Sequence, residues 1–86
     1  MTRVCVFDRR SGARIDDLPE SALLPRITRD GSEYRRHCLA VLSEAKTIHE
    51  AVVYSEVSLT PVEEFIVFET LFPNRGGVFQ IEPVAD

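Results

Sequence analysis

Four side chains in this sequence have the chemistry to ligate a soft metal or to act as nucleophile and base: Cys5, His37, Cys38 and His49. Structural zinc sites bring their ligands in pairs spaced by about two to four residues, and no such pair occurs here. His37 and Cys38 are adjacent, and on a helix, which the pattern below predicts for them, neighbouring side chains diverge by about 100°. They would not meet one ion. A Cys–His catalyst needs a base oriented by a third group and a stabiliser for the developing charge, inside a pocket. His49 beside Glu50 offers an acid and a base without those surroundings, and Arg75-Gly76-Gly77 lacks both the spacing and the lysine of a phosphate-binding loop. The structural reading is simpler: two cysteines are too few for the disulfide framework of a small secreted protein, so Cys5 and Cys38 are expected as buried free thiols. No metal, cofactor or enzymatic activity is expected.

Charge is the second source of chemistry. The chain carries a net charge of −4, unevenly spread: residues 1–40 hold eight Arg against six acids, and residues 41–86 hold Lys46 and Arg75 against eight acids. Phosphate backbones are bound through neutralisation by Lys and Arg, so an acidic protein does not have nucleic acid as its default partner. Glu56, Glu63, Glu64 and Glu69 are the candidate acidic binding face, complementary to a basic protein partner. Arg9, Arg10 and Arg14 are the alternative, a basic patch suited to nucleic acid. The near-exclusive use of Arg over Lys suggests a GC-rich bacterial or phage genome.

These residues must be positioned by a small scaffold. At 86 residues, 44% hydrophobic and 28% charged, the chain reads as one globular domain, residues 1–86, with a modest core. No stretch has the roughly 20 apolar residues of a membrane span, and the N-terminus lacks signal-peptide features, which points to the cytoplasm. Arg3–Phe7 and Ala13–Ile15 flank turn chemistry at Asp8–Gly12 and predict an N-terminal hairpin. Pro19 and Pro25 keep residues 19–29 from forming a long helix. Tyr34, Cys38, Val41, Leu42, Ala45, Ile48 and His49 recur at steps of three and four, predicting an amphipathic helix over about 32–47. The rival is a hairpin at Arg29-Asp30-Gly31-Ser32, since Asp-Gly between apolar runs is a hairpin signal. Ala51–Leu59 alternates as a strand. For Glu64–Phe72 the signals conflict: Thr60-Pro61-Val62-Glu63 spells a capping box, whereas the β-branched and aromatic content, and a Val67 stranded between Glu63 and Thr70, favour a strand. The expected fold is α+β: an antiparallel sheet of the hairpin plus a C-terminal three-stranded meander (51–59, 64–72 and 78–81), covered by one helix.

Leu59-Thr60-Pro61-Val62-Glu63 and Asn74–Val78 together resemble the segment that opens the winged-helix DNA-binding domain of response regulators, over about twenty residues. That family needs a recognition helix and wing after this point, and eight residues follow Val78, so the resemblance implies no DNA-binding role. The expected function is a non-catalytic protein-interaction module, an inhibitor or accessory subunit, with self-association into a homodimer favoured by the surplus of Phe and Val. The alternative is a small transcriptional or nucleic-acid-binding regulator using the Arg-rich first half.

Overall fold

The computed structural model describes residues 1–83. Six strands and one α-helix follow in the order β1 (Thr2–Asp8), β2 (Gly12–Leu18), β3 (Arg26–Arg29), β4 (Ser32–Glu44), β5 (Thr47–Ser55), α1 (Pro61–Leu71) and β6 (Val78–Pro83), with a single 3-10 turn at Glu20–Ala22. The strands form one mixed sheet in the order β2-β1-β5-β4-β3, and β6 also pairs with β4. β1 runs parallel to β5, with Cys5 beside Val53, and every other pairing is antiparallel.

β4 is where the expected fold fails. The predicted helix over 32–47 is a strand, started by a two-residue turn in which Asp30 and Gly31 both take positive φ, 50° and 80°. This backbone matches the twist of the flanking strands, and glycine reaches it without a Cβ penalty. The rival hairpin is thus the one formed, with Arg29 opposite Ser32 and Ile27 opposite Tyr34. A bulge between Arg36 and Cys38 then shifts the register against β5. One extra residue exchanges the faces of a strand. Tyr34 therefore packs in one layer with Val4, Val6, Ile27, Val52 and Tyr54, while Cys38, Ala40 and Leu42 pack in the other with Cys5, Phe7 and Val53. The apparent period of three and four is a period of two interrupted once. The strand ends at Ala45-Lys46, a two-residue loop with Ala45 at φ 53° and none of the usual turn residues.

Residues 61–72 are the second correction. They form α1, not the middle strand of a meander, and the capping box decides it: Thr60 Oγ1 accepts from the Glu63 amide at 3.2 Å, and Glu63 accepts from the Thr60 amide at 2.9 Å. Pro61 sits at the first helical position, where its missing N–H is no loss. Val67, Phe68 and Leu71 face the sheet, so Val67 lies in the core after all. The final strand pairs with β4, Ala40 opposite Ile81, rather than with 64–72. The architecture is a curled mixed sheet, mostly strand, with α1 on one face. The other face closes on itself: Arg14 reaches Asp30 at 3.2 Å and Arg29 reaches Asp16 at 3.9 Å, linking the β2 edge to the β3 end. Among the described residues no helix is long and apolar enough to cross a membrane.

At Gly77 the chain after α1 passes close against β4, one residue before its pairing with that strand begins. A Cβ there would lie 2.6 Å from Leu42 Cδ1 and closer still to the Ser43 carbonyl oxygen, whereas one at Gly76 would meet nothing within 4 Å. Gly77→Ala is expected to cost about 2 kcal/mol, and thus roughly 8–16 °C in thermal midpoint, while Gly76→Ala stays within about 0.5 kcal/mol of the parent. Thermal unfolding of the two variants checks the contact.

Candidate functional site

The β1–β2 turn is organised by one carboxylate. Asp8 is only 4% exposed. It accepts from the amides of Arg10 at 2.9 Å and Ser11 at 2.5 Å, and from the Tyr34 hydroxyl at 2.9 Å. Arg14 lies 3.5 Å away. The Ser11 amide is the strongest influence holding the Asp8 carboxyl below the ordinary carboxylate range; burial opposes it, and Tyr34, Arg10 and Arg14 add to it. Burial, with the bond to Asp8 behind it, raises the Tyr34 hydroxyl in turn.

The turn built on Asp8 carries the candidate basic patch to the candidate acidic one. Arg9 forms a two-point ion pair with Glu63, 2.8 Å and 3.2 Å, at the first turn of α1. Arg10 lies 4.0 Å from Glu56, in the loop after β5. Arg14 lies between Asp8 and Asp30. Each of the three arginines thus has a carboxylate partner, and two of the four glutamates are those partners. The bond from Arg9 is the chief reason the Glu63 carboxyl is pulled down to about 2, helped by the Thr60 amide. Glu64 is half-buried on α1 near Cys38, whose thiol it helps to raise. Glu69 is exposed on α1. Expected on or near two paired strands, the four acids instead lie along one helix and the loop before it.

The metal and nucleophile candidates are dispersed. Cys5 and Cys38 sit on either side of Val53 in strands next to β5, about 10 Å apart across two strand spacings and beyond disulfide reach. Both are buried free thiols, pushed up by burial to about 12 and about 11, and so are poor nucleophiles at neutral pH. His37 occupies the β4 bulge, and His49 packs against Phe72 with ring centroids 6.3 Å apart. No group of three or more His, Cys, Asp or Glu among the described residues is placed to hold a metal ion.

What residue spacing did not single out is the outer face of α1. Val62, Phe65 and Ile66 are 69%, 63% and 41% exposed, on the side away from Val67, Phe68 and Leu71. At steps of three and four they form one stripe, continued by Glu69. A helix with apolar residues on two sides has one of them unpartnered when only the other is covered. The available signal was that Glu63, Glu64, Glu69 and Thr70 do not gather on one side of Val62–Leu71. The chain matches no known family, and no curated protein or solved structure matches it either.

Asp8 and Glu63 both have carboxyls depressed in the folded state. Their stabilisation is complete above the ordinary carboxylate range and is lost as pH falls through the lower folded values. Stability should therefore decline as pH drops from 4.5 toward 2, the interval over which Glu63 is shifted. Asp8→Asn should cost on the order of 2 kcal/mol at pH 7 and make the acid limb shallower. Denaturant titrations at stepped pH measure both effects.

Proposed function

We propose that this protein is a non-catalytic interaction module that self-associates through the outer face of α1. The observation that carries the reading is the exposed stripe Val62, Phe65 and Ile66, an apolar surface on a helix whose opposite side is already buried. The charges at its two ends favour a second copy as occupant. Arg9 flanks the N-terminal turn of α1 through Glu63, and Glu69 stands in the exposed C-terminal half. In an antiparallel pair centred on Phe65 and Ile66, Glu69 of each copy approaches the positive end of the partner's helix, where Arg9 already balances the charge of Glu63. Phe65 meets the partner's Ile66 at the centre.

An eleven-residue helix is about 16 Å long, so the contact lies at the small end of specific interfaces and its affinity should be micromolar. The nucleic-acid alternative would draw on Arg9, Arg10 and Arg14, which already hold carboxylates. Sedimentation velocity over about 5–500 μM should show a monomer–dimer equilibrium. Phe65→Glu should weaken it at least tenfold with little change in unfolding stability, because Phe65 is not part of the core. A parent protein that stays monomeric throughout rules the pairing out.

A further inference from the structure

A groove of about 490 Å³ opens at the β4 bulge, lined by Arg35, Arg36 and His37 on β4 and by Ser55 to Ser58 at the end of β5. Bulges re-aim side chains, and this one places His37 beside the groove instead of in the regular alternation. A second feature lies in the strand pairing at its rim. Arg26 on β3 stands directly opposite Arg35 on β4. Their neighbours Ile27 and Tyr34 point into the core, so both arginines project from the other face, and both are exposed.

Like charges directly opposite one another weaken a strand pair. In a chain with 14 acids against 10 bases, the ordinary remedy is a nearby carboxylate. Arg9, Arg10, Arg14, Arg29 and Arg75 each reach one. Among the described residues Arg3, Arg26 and Arg35 reach none, but Arg3 stands opposite Asp17 in the strand register, whereas Arg26 and Arg35 stand opposite each other. The carboxylate lining the groove, Glu56, faces Arg10 at 4.0 Å. Arg36, also in the lining, donates to the Leu23 carbonyl at 3.3 Å. The Ser55 hydroxyl is engaged with the Val57 backbone, whereas the exposed Ser58 hydroxyl makes no hydrogen bond among the described residues.

We infer that this groove binds the phosphate group of a small phosphorylated ligand. Arg35 supplies the two-point fork that suits a phosphate, Arg26 a second positive charge across the strand pair, and His37 and Ser58 further donors. The volume exceeds that of a bare phosphate and leaves room for a small organic part. The lining contains no Phe, Tyr or Trp, the side chains on which successive bases of a single strand most often stack, and this favours a small ligand over a nucleic acid. Binding would relieve the repulsion between Arg26 and Arg35. The site shares no residue with the outer face of α1 and stands whether or not that face self-associates.

Thermal shift and isothermal titration with inorganic phosphate and pyrophosphate, against sodium chloride at matched ionic strength, test the site. The parent protein should gain several degrees with phosphate beyond the chloride control. Arg26→Gln and Arg35→Gln should melt at or above the parent without ligand, since each removes a repulsion, yet lose phosphate affinity at least tenfold. Arg75→Gln, at an arginine paired with Glu44 elsewhere, should bind as the parent does. No gain over chloride in the parent overturns the inference, as does undiminished binding by both groove variants. Preferential binding of a twelve-nucleotide single strand that depends on Arg35 overturns it in favour of nucleic acid.

Discussion

Pairing along β4 holds this molecule together. The strand is bonded to β5 over most of its length on one edge, and its other edge is divided between β3 near Tyr34 and β6 from Cys38 to Ser43. A sheet this small needs a helix or a second layer on each apolar face, and β4 serves both faces because its bulge rotates the second half relative to the first. Tyr34 before the bulge and Leu42 after it are both fully enclosed, in different layers. Straightening the strand would turn one of those sets into solvent. The groove with Arg35 and His37 is a by-product of the same irregularity.

Charge plays a different part from the one its sequence distribution suggests. The basic first half and acidic second half are brought against each other: Arg9 on Glu63, Arg10 near Glu56. Exposed pairs of this kind contribute little singly, about 0–1 kcal/mol. Their effect is to orient the β1–β2 turn against the start of α1, with the buried Asp8 network fixing the turn from below. Arg26 and Arg35, which face each other across β3 and β4, lie outside this arrangement.

How far the sequence could be read depended on whether a signal was local. The β1–β2 hairpin, the Asp30-Gly31 turn and the Thr60–Glu63 capping box are each complete within a few residues, and each corresponds to an element observed. The errors arose where a local signal was weighed against periodicity. In β4 the bulge at His37 breaks the alternation and produces a spurious helical spacing, and Ala45 at positive φ gives no sign of the turn that ends the strand. In α1 both sides are apolar, so spacing assigns no inner side and Val67 looks misplaced until the sheet is set against it. The acidic candidates moved with that element. The stripe on α1 and the Arg26–Arg35 juxtaposition could not be read, because the first requires knowing which side is covered and the second requires the strand register.

The division of one β4 edge between two partners has a consequence for the nascent chain. β3 precedes β4 and is ready when β4 is made, but β6 follows only after β5 and α1. At ordinary translation rates the backbone of Cys38 to Ser43 waits several seconds for its partner, roughly 2–8 s. During that interval Ala40, Val41 and Leu42 form an apolar strand with one edge open, a shape that invites pairing with another chain. On the ribosome, the most vulnerable surface of this protein is thus one that the finished fold conceals.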